Sequence, residues 1–144
     1  MHGPDASAKE LFARGLRETI VALVASGARV WVVEEVPDLP FDPPYLAARM
    51  KSRGKDVDQL GLAKSQRDQR QAFFRDTIAA IRADARFEVL TPDFHLCDES
   101  LCRAILSGRS LYRDSNHLSD FGADYVKPLL HPVFREISGK SMKE

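Results

Sequence analysis

Asp114 and His117 are the residues whose types and spacing best suit chemistry. They stand three apart in the stretch LYRDSNHLSDFGADY, residues 111–125. A carboxylate that accepts a hydrogen bond from one imidazole nitrogen fixes the ring tautomer and leaves the other nitrogen free as a general base. A nucleophilic hydroxyl would complete this arrangement. Taken alone, the spacing is a weak signal, because such an aspartate more often caps a turn beside an ordinary loop histidine.

Other candidate motifs are weaker still. No serine lies in a Gly-Asp-Ser or Gly-x-Ser-x-Gly pattern, and Ser26 and Ser107, each followed by glycine, are placed at a helix end and in a turn. The stretch SGKS at 138–141 lacks the upstream glycine of a phosphate-binding loop. His95 and His131 have no partner motif, so we interpret them as structural residues. The sequence therefore predicts no cofactor and no metal.

Cys97 and Cys102 are the only cysteines, in the stretch LCDESLC. A C-x4-C pair can form a disulfide, remain as two thiols or supply half of a metal site. Zinc is the least favoured, because there is no second cysteine pair and His95 would have to fold back sharply to reach the metal. The residues alone leave a disulfide and free thiols both open.

Length and charge narrow the class of protein. The 144 residues suit a single domain, 1–144, and the 21 Lys and Arg balance the 21 Asp and Glu. This balance argues against nucleic acid or an anionic membrane surface as a partner. There is no apolar run of about 18 residues and no secretory signal, so the sequence predicts neither a transmembrane helix nor a signal peptide.

The first part of the chain alternates helix and strand. A capping box at Ser7 to Glu10 predicts a helix that ends at Gly27, and the β-branched run 28–33 predicts a strand buried on both faces, with Trp31 in the core. The stretch VPDLPFDPPY, residues 36–45, has four prolines, which predict a semi-rigid loop without a regular element. In an open α/β sheet, such a loop after a strand is where sites lie.

The remaining elements follow the same alternation. The polar stretch 50–71 is interpreted as an exposed excursion and the start of a helix, and a second amphipathic helix is predicted over residues 65–85. A second strand is predicted over residues 87–90. A third helix should begin after Ser119 as N-cap, and Pro128 and Pro132 should kink or shorten it.

The stretch around the Asp-His pair resembles the last sequence block of the SGNH hydrolase superfamily. A Gly followed by Leu-Tyr-Arg-Asp-x-x-His-Leu-Ser-x-x-Gly-Ala, here Gly108 and residues 111–123, is similar to the form found in extracytoplasmic SGNH domains fused to membrane-bound acyltransferases that modify cell-surface glycans. The cysteine pair and the string VWVVEEVPDLPFDPP resemble the same domains. The resemblance covers most of residues 8–137.

The resemblance implies roles for individual residues. His117 would be the general base, Asp114 its orienting partner, and Cys97 and Cys102 a disulfide. The adjoining Tyr112 and Arg113 could contact an acyl or sugar group, although a packing tyrosine and a surface arginine are the more common outcome.

The resemblance also implies a fold and a function. The fold would be an α/β, three-layer α/β/α SGNH sandwich of the flavodoxin-like type. The function would be that of an O-acyltransferase or esterase acting on acyl esters of cell-surface polysaccharides. Its partners would be an acyl donor, a glycan acceptor and an N-terminal membrane acyltransferase domain of the same or a neighbouring chain. Its location would be the periplasm or the extracytoplasmic face of the membrane.

The sequence departs from the family in one respect. The nucleophilic serine block and the glycine and asparagine oxyanion donors precede the matched region in the superfamily, and none is present here. We therefore expect the C-terminal portion of an SGNH domain, incomplete at its N-terminal side and inactive alone. The alternative is a catalytically inert glycan-binding or structural module on the same fold.

Overall fold

A computed structural model of the protein describes residues 6–140. The helices are α1 (Ala6–Ala25), α2 (Pro43–Lys51), α3 (Lys64–Ile81), α4 (Asp93–Leu96), α5 (Asp120–Val126) and α6 (His131–Lys140), with a 3-10 turn at Lys127–Leu130. The strands are β1 (Trp31–Val33), β2 (Gly61–Ala63), β3 (Glu88–Leu90), β4 (Leu101–Arg103), β5 (Ile105–Leu106) and β6 (Arg109–Ser110). Among the described helices, none is both long enough and apolar enough to span a membrane.

The chain divides into two compact units, and the first contains α1 and the later part of α3. This unit comprises the described residues up to Val32 together with Gln71–Val89. Its buried core consists of Ile20 on α1, Ile78 and Ile81 on α3, and Ala85 and Phe87 just beyond α3. Helix α1 already includes Ala6, the first described residue, so Ser7 lies within the helix and the predicted N-cap at Ser7 is wrong.

The second unit, Val33–Arg70 and the described residues from Leu90 onward, carries the Asp-His pair. It contains two short antiparallel pairs, β2 with β4 and β5 with β6, that the sequence analysis did not predict. Ser107 and Gly108 join β5 to β6 with φ of 50° and 72°, which is the left-handed conformation of a two-residue hairpin turn. Its buried core includes Leu39, Leu62, Leu96, Cys102, Ile105, Leu111 and Tyr112.

Strands β1 and β3 pair, as the two predicted strands should. The Glu88 amide donates to the Val30 carbonyl at 3.0 Å, and the Glu34 amide donates to the Leu90 carbonyl at 2.9 Å, so both strands advance in the same direction. The predicted burial on both faces is wrong, because Val33 is 51% exposed and Trp31 is only half-buried. A strand is buried on both faces only where other elements pack on both, and here Trp31 and Val33 are not fully covered.

The prolines after β1 do not exclude a helix, so this part of the prediction is also wrong. Helix α2 begins at Pro43 and Pro44, and the Asp42 side chain caps it by accepting from the Tyr45 amide at 2.8 Å. Proline suits the first helical turn because the amide that it lacks would have no partner inside the helix there. Pro37 and Pro40 do lie in the predicted loop.

The C-terminal helix follows its prediction. Ser119 is the N-cap of α5, and its hydroxyl accepts from the Gly122 amide at 3.1 Å. The regular helix then stops, a 3-10 turn with Pro128 at its start intervenes, and α6 resumes with Pro132 in its first turn. The two prolines thus interrupt the helix as expected.

Candidate active site

The loop from Tyr112 to Leu118 holds the Asp-His pair in a closed turn. Tyr112 and Leu118 pair as an isolated antiparallel bridge, and the Arg113 amide donates to the His117 carbonyl at 2.8 Å. Within the turn, Asp114 Oδ1 accepts from the amides of Asn116 at 3.0 Å and His117 at 2.8 Å. Asp114 therefore organises the backbone of the loop as well as facing the imidazole.

Asp114 and His117 are in direct contact through their side chains. His117 Nδ1 lies 2.9 Å from Asp114 Oδ2 and 3.0 Å from Oδ1. Because an ionised carboxylate only accepts, this contact requires the proton on Nδ1 and makes Nε2 the acceptor in the neutral ring. The His117 side chain is 62% exposed, so Nε2 can receive a proton from an external hydroxyl. The predicted pairing of these residues is present, and their catalytic role remains a prediction.

The motif residues Ser119 and Gly122 hold the loop from its C-terminal side. The Ser119 amide donates to the Leu111 carbonyl at 3.0 Å, and the Ser119 hydroxyl donates to the Ser110 carbonyl at 2.8 Å. A Cβ on Gly122 would lie only 1.9 Å from the Leu111 carbonyl oxygen, so no other residue fits this position without backbone movement. The Leu-Ser-x-x-Gly spacing thus places the start of α5 directly against the strand-like segment before the pair.

The proline-containing loop holds the pair from the other side. The Leu39 amide donates to the Ser115 carbonyl at 2.8 Å, directly after Asp114. Leu39 is itself buried in the core of the second unit. The predicted site loop and the Asp-His loop therefore meet.

Tyr112 and Arg113 take the packing and surface roles. Tyr112 is buried, its phenol oxygen has no hydrogen-bond partner within residues 6–140, and desolvation raises the pKa of the phenol far above its ordinary value. Arg113 is exposed. Tyr112 thus anchors the beginning of the loop.

Cys97 and Cys102 form the disulfide that the resemblance implies. Asp98 turns the intervening loop by accepting from the amides of Ser100 and Leu101, each at 2.8 Å. These amides, followed by the Ser100 hydroxyl, lower the pKa of Asp98 to about 2. Cys102 is fully buried and pairs with Leu62 across the β2–β4 ladder. The disulfide therefore links the end of α4 covalently to β4.

The remaining candidates stay apart from the pair. Ser26 donates to the Leu23 carbonyl at the end of α1, and Ser107 lies in the β5–β6 turn, as predicted. No hydrogen bond joins His95 or His131 to Asp114 or His117. The described part of the chain contains no cluster of three or more His, Cys, Asp or Glu suited to a metal.

The buried ion pair of Arg67 with Asp93 was not predicted from the sequence. Arg67 Nε lies 3.0 Å from Asp93 Oδ1, and both side chains are buried. Arg67 and Gln71 precede Phe74, Ile78 and Ile81 at spacings of four and three, so they continue the buried stripe of α3. An arginine in register with an apolar stripe was the signal that could have identified it.

The Asp114 carboxylate should become protonated only at a pH below its ordinary titration range. The amides of Asn116 and His117, and then the imidazole, lower the pKa of Asp114. A group with a lowered pKa in the folded state stabilises the fold above its unfolded pKa, and this contribution is lost as the pH falls through the folded value. A carboxyl-carbon NMR titration should give Asp114 a midpoint below the ordinary value of about 3.9. A midpoint at or above that value would contradict the loop geometry.

Comparisons with known proteins agree with the sequence resemblance. The family model described as "SGNH domain (fused to AT3 domains)" matches residues 2–132. Among solved structures, the lipopolysaccharide acetyltransferase periplasmic domain of Salmonella ser. Paratyphi A aligns with a TM-score of 0.67 and 19% identity, over 90% of this chain and 51% of its own. This chain thus spans about half the length of that structure. No curated protein matches significantly. The predicted α/β fold of the SGNH type is confirmed.

Proposed function

The chain belongs to the family of SGNH domains fused to AT3 domains, and from this membership we propose that it serves acyl-ester chemistry on cell-surface polysaccharides. In this proposal His117 is the general base and Asp114 orients it. The acyl donor and glycan acceptor are the substrates, and the partner is a membrane acyltransferase domain in the same or a neighbouring chain. The disulfide and the periplasmic location of the structural neighbour support an extracytoplasmic location.

The observation that carries the proposal is the contact of His117 Nδ1 with both Asp114 oxygens, at 2.9 and 3.0 Å. This contact leaves Nε2 as the basic nitrogen on an exposed ring. Two backbone amides also bind Asp114 Oδ1, so the carboxylate cannot rotate away without breaking the turn. A general base needs this combination of correct tautomer, fixed orientation and access.

The reaction would proceed in two transfers. His117 Nε2 accepts the proton of a serine hydroxyl as the serine oxygen attacks the acyl carbonyl carbon, and the resulting tetrahedral oxyanion collapses when the donor oxygen leaves with that proton. A glycan hydroxyl then loses its proton to Nε2, attacks the acyl-serine and releases the serine, which recovers its proton. Water in place of the glycan gives hydrolysis. Asp114 stabilises the imidazolium formed in each half.

A binding module without turnover is the second candidate. It is favoured by one observation, that no serine hydroxyl within residues 6–140 is hydrogen-bonded to His117. Such a module would retain affinity for a glycan, and the Asp-His contact would then serve only to stabilise the loop.

The test is an assay of acyl transfer and ester hydrolysis with one activated acetyl ester and one polysaccharide acceptor. We expect the 144-residue chain to show no turnover above its His117→Ala variant, because general base help without a positioned nucleophile and oxyanion donors lowers the barrier little. A longer natural protein that is encoded by the same reading frame and contains these 144 residues should be active. Activity of the 144-residue chain that is lost on replacing one of its own serines would place the nucleophile inside this sequence. An inactive longer product that still binds the glycan would establish the binding module instead.

A further inference from the structure

We infer that Arg67 is a positioning residue for the Asp114 and His117 pair, which it holds through the proline-containing loop. The proposed function gives this positioning its catalytic meaning, but the contacts that carry the inference do not depend on it. Arg67 lies on α3, and no hydrogen bond or ion pair joins it to Asp114 or His117. Its influence must therefore pass through the loop that follows β1.

Arg67 joins three segments at a buried point. Its Nε donates to Asp93 Oδ1 at 3.0 Å, and its Nη2 donates to the Glu35 carbonyl just after β1. Arg67 is 1% exposed and Asp93 is 6% exposed. The planar guanidinium presents several donors in a fixed fork, whereas a lysine ammonium is a single point charge on a flexible stem. A lysine therefore cannot reproduce both contacts in the same geometry.

The proline-containing loop connects the contact of Arg67 with Glu35 to the Asp-His pair. Leu39 follows Glu35 by four residues, and its amide donates to the Ser115 carbonyl at 2.8 Å. Pro37, which is fully buried, and Pro40 restrict the backbone on either side of Leu39, so a displacement at Glu35 is not absorbed by free rotation. Ser115 is bonded directly to Asp114. The connection from Arg67 to the pair thus consists of one side-chain contact, a short stiff segment and one backbone hydrogen bond.

Tyr112, at the start of the Asp-His loop, is coupled electrostatically to the buried ion pair. Its buried phenol is within electrostatic range of Arg67 and Asp93, which act on its pKa in opposite directions. Tyr112 begins the turn that Leu118 closes. The buried ion pair is thus coupled electrostatically to the start of the Asp-His loop. Its geometric support of the loop is the hydrogen bond from Leu39 to Ser115, in the middle of the loop.

Arg70 provides a matched control on the same helix and the same loop. Its Nη1 donates to the Asp38 carbonyl at 3.0 Å and to Asp38 Oδ2 at 3.2 Å. The side chains are 44% and 53% exposed, however, and an exposed ion pair contributes little because water screens it. A buried pair with one partner altered is far more costly. Comparing variants of the two arginines thus separates the effect of a buried contact from the effect of any contact with the proline-containing loop.

The experiment is amide hydrogen exchange, followed by NMR, on the 144-residue chain with Arg67→Lys or Arg70→Lys. For Arg67→Lys we expect protection of the Leu39, Arg113 and His117 amides to fall about tenfold relative to that of Ala104. The His117 ring nitrogens should also show a smaller share of the Nδ1-protonated tautomer. Arg70→Lys should change neither readout by more than about twofold. The Ala104 amide is the reference because its acceptor, the Leu60 carbonyl, belongs to neither the proline-containing loop nor the Asp-His loop.

An equal fall in protection at all amides would show that Arg67 acts only on overall stability and would overturn the inference. If Arg67→Lys does not fold, Asp93→Asn tests the same anchor, because it keeps the size and an acceptor while removing the charge. The same local pattern is expected, and its absence in this variant would equally overturn the inference.

An activity readout separates this inference from the proposed function. In an active longer product, Arg67→Lys should lower kcat several-fold with little change in KM, because it misplaces the base without removing a substrate contact. If exchange and tautomer change but no variant of the pair affects acyl transfer, the positioning role stands and the catalytic proposal fails. If Arg67→Lys leaves amide exchange unchanged while His117→Ala still abolishes acyl transfer, the positioning role fails and the catalytic proposal stands.

Discussion

Replacing His117 with alanine should lower kcat/KM for acyl transfer by about three orders of magnitude in any active longer product that contains this sequence. A positioned general base contributes roughly 10² to 10⁴ in rate, and no other described histidine contacts Asp114. The release of acid or acylated glycan from one activated ester measures the loss. Binding of the polysaccharide should be unchanged, because the expected deficit lies in proton transfer.

Two companion variants make this result specific. His131→Ala removes an exposed histidine at the start of α6 and should leave the rate within about twofold, as for surface substitutions away from a site. Asp114→Asn should lower the rate strongly, because an amide in place of the carboxylate no longer dictates the Nδ1-protonated tautomer. A His117→Ala variant that keeps a tenth or more of the rate would remove His117 from the mechanism.

Gly122→Ala should be the most destabilising small substitution near the site, at about 3 kcal/mol. The added Cβ would lie 1.9 Å from the Leu111 carbonyl oxygen and 2.8 Å from its carbonyl carbon, both of them backbone atoms that cannot move aside alone. Relief of this clash would pull the start of α5 from Leu111 and weaken the Ser119 cap. Urea unfolding of the 144-residue chain, followed by circular dichroism, measures the change in the free energy of unfolding.

Gly15→Ala is the matched control for Gly122→Ala. A Cβ at Gly15, within α1, meets no atom within 4 Å. Alanine there should stabilise the chain by roughly 0.5 to 1 kcal/mol, because it restricts the unfolded chain and favours the helix. Equal stability of the Gly122→Ala chain and the unchanged chain would contradict the close approach of α5 to Leu111.

Local signals in the sequence determined much of this protein. Helical spacing identified α1, α3 and the C-terminal helix, and short-range chemistry identified the Ser119 cap and the interruption at Pro128. The Asp114 to His117 contact was also predictable, because both residues lie within one turn of backbone and Asp114 itself organises that turn. These features depend on residues only a few positions away, so the local sequence is enough to predict them.

Tertiary structure decided the features whose partners are distant in sequence. Strands of two or three residues such as β2 and β5 show no periodicity, and they form because a distant strand or a turn pairs with them. The start of α2 is different, because its signal is local and was overlooked: Asp42 is an N-cap residue, and Pro43 suits the first helical position. The contacts that support the Asp-His pair could not be predicted for the same reason as the short strands. Arg67 and Asp93 are 26 residues apart, and Leu39 contacts Ser115 through backbone atoms, which a side-chain pattern does not indicate. A buried charge is stable only where the fold brings its partner, and that partner cannot be found from local spacing alone.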